Sequence, residues 1–558
     1  MPPPVAGLHV FRDARRDLAG PAMLADLARA LEGLAGGGAK ERRARALEAL
    51  LRAGELECGL ADVAAAEPEG GAGADPVGAG AAARVTDALA SALLGDGEPL
   101  AGVPAHLSGI QPPARLRVSP PEGFAYYALH PLDFACLAGE LPVPSATAGV
   151  IGVRSIGTTL SAVVAAALRG RGVAVDRLTV RPGGHPCDRR LDLAAEGRRR
   201  VRAWVAAGAE LFVVDEGPGL SGSTLLSVGE ALVAEGAPAE RVTLLCTRAP
   251  DPDQLTGPDA ARRARGFRWR AVAAPSRIPA DAGAFLGGGA WRRHVYADAS
   301  RWPACWPTFE RLKYLSRDGG RLHKFEGLGH HGAGVQRRAR LLSDAGLGPP
   351  PRDEGDGFAS YPWLTGRPLD PADLSPAVIH FLGDYCAFRA AELPAPAPDG
   401  ALEAAVREDL AAFARNPPAD LSLAVERPVL PDARMLPHEF IAPPAGPLLK
   451  VDAASHGDDH FLPGPIDIAW DLASAVVEWH MGTAARRALL ERYRRASGDD
   501  AAPRLRHYII AYTSLRLAMV QMAAAMLQGS DESPRLERDL HRYRATLDAE
   551  LRVLPTRR

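Results

Sequence analysis

LFVVDEGPGLSGSTL, residues 211–225, is the stretch from which the fold is read. Leu211, Phe212, Val213 and Val214 form a short continuous apolar run, the pattern of a strand buried on both faces of a sheet. Asp215 and Glu216 end the run. Gly217, Pro218, Gly219, Leu220, Ser221, Gly222, Ser223 and Thr224 then lead straight into STLLSVGEALVAEG, whose apolar spacing predicts a helix closed by Gly236. Small residues let backbone amides approach an anion closely, and a helix N-terminus adds the positive end of its dipole. The hydroxyls of Ser221, Ser223 and Thr224 add donors, and the two carboxylates stand where a ligand's hydroxyl groups or a developing cation would project.

Outward from this loop the chain alternates strand and helix. AGVIGVRS predicts a buried strand, TTLSAVVAAALRGRG a helix closed by Gly172, VAVDRLTVRP a second strand and RRRVRAWVAAG a helix. ELFVVDE is the third strand, and RVTLLCTR, beyond the helix described above, the fourth. Strands separated by helices of about a dozen residues are the signature of a doubly wound parallel α/β sheet, whose ligands sit at the carboxyl ends of the strands. FAYYALHPLDFA, just ahead, reads as a strand leading into a turn; its Phe124, Tyr126 and Tyr127 either stack on a flat ligand or pack in the core. Residues 1–114 read as a helical N-terminal region: apolar residues recur at three- and four-residue spacing through 20–66, and ARVTDALASALLG adds a shorter helix. Between them EPEGGAGADPVGAGAAA (67–83) is a Gly/Ala-rich loop. The expected domains are therefore 1–114, 115–285 and 290–558. The last opens on strands near 312–315 and 322–325 and a helix over 335–345, then turns almost wholly helical after about residue 376, the layout of a bilobal α+β domain.

At 558 residues the chain is too long for one hydrophobic core. Its 65 basic and 67 acidic residues leave no global basic field, which argues against a nucleic-acid partner. Only 4 Lys stand beside 61 Arg, so a single arginine says little and a retained lysine says more. Six cysteines, at 58, 136, 187, 246, 305 and 386, form no CxxC pair and read as reduced thiols. MPPPVAGLHVFRDARRDLAG lacks the charged start and apolar run of a signal peptide, and no stretch reaches about 18 uninterrupted apolar residues. The expectation is a cytoplasmic protein with no membrane partner.

The loop at 215–224 resembles the phosphoribosyl-binding motif of type I phosphoribosyltransferases: an apolar strand, an acidic pair, then a small and hydroxyl-bearing loop. The chain departs from it in carrying Glu216 where Asp is commoner and in a loop one residue longer. The resemblance implies that Asp215 and Glu216 are catalytic and that Gly217, Gly219, Leu220, Ser221, Gly222, Ser223 and Thr224 bind the 5-phosphate. VIGVRSIGTTLSAVVAAAL (150–168) resembles the same family's pyrophosphate-binding turn, which gives that role to Arg154, Ser155, Gly157 and Thr158. RPGGHPCDRR (181–190) resembles its mobile loop, in which Arg181, His185 and Arg189 would screen pyrophosphate. Mg²⁺ is the implied cofactor, with PRPP and a base or nucleotide as partners.

Residues 310–480 resemble, more distantly, the aminoglycoside-phosphotransferase branch of the kinase-like fold. RLHKFEGLGHHGAGVQRRARLL carries Lys324 on a strand, FASYPWLTGRPL (358–369) is similar to the segment joining two lobes, and MLPHEFI (435–441) resembles the Pro-x-Asn part of a catalytic loop. LLKVDAA (448–454) resembles a strand ending in a metal-binding acid, and DIAWDLASA (467–475) an Asp-rich helix start. The resemblance implies ATP on Lys324, metal on Glu439 and Asp452, and bracing of the catalytic loop by Asp467 and Asp471. Arg434 stands at the expected catalytic Asp, with Asp432 two residues earlier, so either Asp432 is the base through a shifted loop or this half binds nucleotide without transferring phosphate. HGDDH (456–460) invites a metal reading through His456, Asp458 and His460 as well as that of a polar loop. The whole chain then reads as an enzyme that transfers or cleaves a phosphoribosyl group, fused to a domain that binds ATP and phosphorylates a small molecule. A nucleotide- or PRPP-sensing regulator or scaffold is the alternative, and self-association is left open.

Overall fold

The computed structural model describes residues 7–13, 15–35, 38–66, 77–95, 103–185, 187–272, 277–398, 400–444 and 446–552. Most of the Gly/Ala-rich loop expected at 67–83 lies outside the described residues. The chain divides into two compact units: Ala14–Ile278 with Gly327–His331, and Met1–Asp13 with Pro279–Glu326 and Gly332–Arg558.

In the first unit five strands, β1 (Thr147–Val153), β2 (Ala174–Val180), β3 (Glu210–Val214), β4 (Val242–Cys246) and β5 (Arg268–Ala271), lie in the order β2-β1-β3-β4-β5. Every neighbouring pair is parallel. Helices α1 (Ile156–Gly170), α2 (Ala195–Ala206) and α3 (Ser223–Ala234) make the first three crossovers. The apolar run read from the sequence explains β3, which is buried throughout. Sequence periodicity had not marked β5, whose Arg-Trp-Arg-Ala alternates exposed and half-buried residues at the sheet edge.

The helices Gly20–Glu32, Ala39–Ala66 and Ala79–Leu94, which the sequence sets apart within 1–114, belong to this same unit. A buried ion group ties them to β2: Arg177 donates to both carboxylate oxygens of Glu57 at 2.9 and 3.0 Å and to Asp87 at 2.6 Å. The strand expected in FAYYALHPLDFA is absent; the segment forms two helices, Glu122–Ala125 and Pro131–Glu140. Pro131 takes the first helical position and His130 caps it by accepting from Leu132, so local capping outweighs the β propensity of the aromatic residues. Phe124 and Phe134 are fully buried and Tyr126 nearly so, which makes them core rather than a stacking platform.

In the other unit β6 (Ala282–Phe285), β7 (Lys313–Ser316), β8 (Arg321–Phe325), β9 (Arg352–Gly355) and β10 (Phe358–Pro362) form an antiparallel sheet in the order β6-β7-β8-β10-β9. Beyond it the chain is mainly helical, with Pro376–Glu392, Ala469–Glu478, Thr483–Ser497, Ala502–Met526 and Ser533–Arg552 packed around Trp470, Trp479, Tyr385, Tyr493, Tyr508 and Tyr512, all fully buried. By length and composition Ala502–Met526 is apolar enough to cross a membrane; 67% of its apolar window is buried in this core.

Candidate functional site

Strand order turns back on itself between β1 and β3, and loops diverging from adjacent parallel strands at such a point leave a crevice at their carboxyl ends. The two strands end level, with Gly152 opposite Val214. The turn at Arg154 and the loop at Asp215, some 60 residues apart in sequence, therefore start side by side. Gly157 is required for this: a Cβ there would lie 2.5 Å from the Val214 carbonyl oxygen. Ser155 takes φ +100°, rare for a non-glycine residue, and donates weakly to the carbonyls of Ser119 and Pro120 at 3.5 and 3.4 Å. Thr158, assigned to pyrophosphate by resemblance, is fully buried in the first turn of α1.

Asp215 and Glu216 are adjacent acids in a desolvated setting. Burial pushes Asp215 up to about 7 despite the nearby Arg181 guanidinium. Burial, with the charges of Asp215 and Glu122 added, pushes Glu216 up to about 8. Burial raises Glu122 as well. Glu216 Oε2 accepts from the Gly123 amide at 3.0 Å, and Asp215 Oδ1 from the Glu216 amide at 2.8 Å. The loop that follows exposes Gly219 and Leu220, while Gly222 and Ser223 are buried at the start of α3 and the Ser221 and Ser223 hydroxyls lie 2.9 Å apart. In phosphate-transfer sites Mg²⁺ is held by one or two carboxylates together with the ligand's own phosphates. Asp215 and Glu216 are adjacent oxygen donors whose charged forms need a cation, so these two residues fit that ion.

Arg154 and Arg181 converge on one acid of the N-terminal helix. Arg154 donates to Asp62 Oδ1 at 3.1 Å, and Arg181 donates to the same carboxylate at 2.7 and 2.5 Å and to Cys58 Sγ at 3.2 Å. Within the segment expected as a mobile loop, Gly183–His185 and Asp188–Arg190 pair antiparallel, with Gly184 facing Arg189 and His185 facing Asp188. His185 Nδ1 accepts from the Cys187 amide at 3.2 Å, and Arg189 is half-buried. Spacing along the sequence marks Asp62 and Glu122 only as polar positions, and Cys58 only as a reduced thiol, so none is singled out before the fold brings it here.

The other unit gathers a different set. Lys324 on β8 pairs with Asp452, donates to Ser455 Oγ at 2.9 Å and lies 3.3 Å from Glu326. Lys313 on β7 lies 3.3 Å from the second oxygen of Asp452. Lys450 donates to Glu439 at 2.6 Å and lies 3.4 Å from Asp432. Three of the chain's 4 lysines thus meet the acids of one site, a signal legible in the Arg-dominated sequence but read only for Lys324. Against burial, Lys324 and Lys313 hold Asp452 well below the usual carboxylate range. Likewise Lys450, His456 and Arg389 hold Asp432 low. Asp432 is fully buried and accepts from the Tyr385 hydroxyl at 2.5 Å, which leaves it no access to a substrate hydroxyl. Arg434 lines a small cavity with His456, Asp459, Phe461 and Arg516.

Asp471 accepts from the amides of Asp432 and Ala433 at 2.9 Å each, and Asp467 from those of Glu426, Arg427 and Ala469 at 2.7–2.8 Å. Both acids therefore hold the 426–433 backbone. Both oxygens of Asp452 and Oε2 of Glu439 already face lysine ammonium groups, whereas Glu439 lies with Asp432 and His456 in a group whose ligand atoms come within 4.8 Å of one another. His456, Asp458 and His460 do not share a centre: Asp458 pairs with Arg338 at 3.1 Å, and His460 stacks on Phe11.

No family model and no curated protein matches the chain. Among solved structures it is similar to a choline/ethanolamine kinase family protein from Mesorhizobium loti, with TM-score 0.31, 16% identity, and 43% of this chain and 88% of that one covered. Choline kinase LicA from Streptococcus pneumoniae gives TM-score 0.31 and 15% identity, over 43% of this chain and 89% of that one. Spectinomycin phosphotransferase APH(9)-Ia, solved with ADP and spectinomycin, gives TM-score 0.30 and 13% identity, over 48% and 92%.

Proposed function

We propose that the parallel-sheet unit binds PRPP or a ribose 5-phosphate compound with Mg²⁺ and transfers or cleaves its phosphoribosyl group. One observation supports this: two neighbouring parallel strands end level at the switch point, one in an Arg-Ser turn and the other in a half-buried acidic pair opening a small-residue loop onto a helix N-terminus. The backbone of 217–223 and the α3 N-terminus would take the 5-phosphate. Arg154 and Arg181 would exchange Asp62 for pyrophosphate oxygens, keeping their charge paired throughout. Asp215 and Glu216, raised by burial, would ionise as ligand and cation arrive. They would then accept from the ribose hydroxyls and steady the sugar as its C1–O bond loosens, a contribution of position and charge. Mg²⁺ would neutralise the departing pyrophosphate. The test is pyrophosphate release from PRPP and Mg²⁺ across a panel of bases. Release that depends on Asp215 and Glu216 supports the reading, and its absence with every acceptor removes it.

A specific observation favours a second role for the other unit, the convergence of Lys313, Lys324 and Lys450 next to a backbone braced by Asp467 and Asp471. We infer that it binds the phosphates of a nucleotide such as ATP through these lysines. Phosphoryl transfer to a small molecule would need Asp452 and Glu439 to give up their ammonium partners, and Arg434 supplies no base. Calorimetric titration with ATP, with and without EDTA, tests this: lysine-held binding survives the chelator.

A further inference from the structure

Away from both sites, the parallel-sheet unit holds a cluster of carboxylates and imidazoles that neither role uses. Glu48 and Glu55 lie seven residues apart, about two turns, on one face of Ala39–Ala66. The segment Gly327–His331 lays His330 and His331 against that face. Gly329, at φ +56°, makes the approach feasible, since a Cβ there would come within 2.4 Å of Glu48 Oε2. Glu55 offers Oε2 to His330 Nε2 at 3.1 Å and Oε1 to His331 Nε2 at 3.5 Å. The two rings lie 4.1 Å apart, centroid to centroid.

We propose that Glu55, His330 and His331 bind one divalent transition-metal ion of the zinc class through Nε2 of each imidazole and a Glu55 oxygen. One atom from each residue lies within 4.8 Å of the others. Zinc–nitrogen and zinc–oxygen bonds of about 2.0–2.1 Å put tetrahedral ligands about 3.3 Å apart, close to the 3.1 and 3.5 Å seen here. Ion pairing alone does not satisfy the cluster: His331 Nε2 and His330 Nδ1 are buried without a hydrogen-bond partner. Glu48 is already engaged by Arg52 at 2.6 Å, which leaves two imidazoles and one carboxylate, a donor set suited to zinc, cobalt or iron with positions open to water.

The test uses the full chain freed of metal with a chelator. Titration with Zn²⁺ should show one site of micromolar affinity or tighter, and His331→Asn or Glu55→Gln should weaken it about a hundredfold. Should a variant fail to fold, the wild-type protein loaded with Cu²⁺ answers alone. Pulsed EPR should count two coordinated imidazoles here, whereas the Asp432, Glu439 and His456 cluster can supply only one. Two imidazoles support the proposal. A count of one or none, affinity weaker than about millimolar, or unchanged Zn²⁺ binding in His331→Asn overturns it.

Discussion

Each unit places acids at the end of a strand or loop, and the two treat them in opposite ways. In the parallel-sheet unit Asp215 and Glu216 are pushed up to about 7 and about 8, because burial removes water without bringing an ammonium group against them. In the other unit Asp452 and Asp432 are held low by Lys313, Lys324 and Lys450. The first set has little compensating charge against it; the second is compensated by lysines of the chain itself. Desolvation of an acid thus says little about function until the compensating charge is located.

The sharpest way to break this contrast is to remove an acid that the chain has already paired. Asp452→Ala takes from Lys324 and Lys313 the carboxylate they share, leaving Glu326 beside Lys324, and losing one partner of a buried pair costs on the order of 3–5 kcal/mol. Urea unfolding should show that loss in the lysine-bearing unit, while pyrophosphate release by the other persists. Little change in midpoint would mean that the pairing is incidental.

The counterpart in the sheet unit should act on turnover. Asp215→Asn with Glu216→Gln should lower pyrophosphate release about a hundredfold or more, the scale of a lost transition-state charge. Urea stability near pH 8 should hold or rise, since two unfavourably buried charges are gone. Full release by the double variant would place the chemistry elsewhere.

Arg154→Ala should weaken pyrophosphate about tenfold, on the scale of one charge-assisted contact, and ribose 5-phosphate less, because only the first ligand meets the β1 turn. Calorimetry showing equal losses would merge the two subsites into one.

The smallest effect is a pH slope. An acid whose folded value lies above its unfolded one binds more protons in the folded state, so stability is present at low pH and lost as pH rises through the folded value. For Asp215 the window runs from 3.8 to about 7, and for Glu216 from 4.5 to about 8. Thermal midpoints of the ligand-free protein should fall between pH 5 and 8.5, and less steeply in the double variant. Parallel profiles would show that these acids titrate normally.

LFVVDE announced β3 because an apolar run closed by acids has few other uses, and the α1–α3 crossovers followed from helical spacing. FAYYALHPLDFA misled because its aromatic residues favour a strand, while His130 and Pro131 favour a helix start and won. The acids and the small-residue loop at 215–224 could be named from local pattern, as could Asp467 and Asp471 at a helix start.

What the sequence determined alone is therefore the part whose physics is local: burial pattern, turn chemistry, capping and the flexibility of glycine. Tertiary structure alone decided which charges meet. Asp62 beneath Arg154 and Arg181, Lys313 and Lys324 on Asp452, and Glu55 between two histidines join residues 92 to 276 positions apart. Electrostatic partnership depends on distance in space and on lost water, and neither is written in the spacing of residues along the chain.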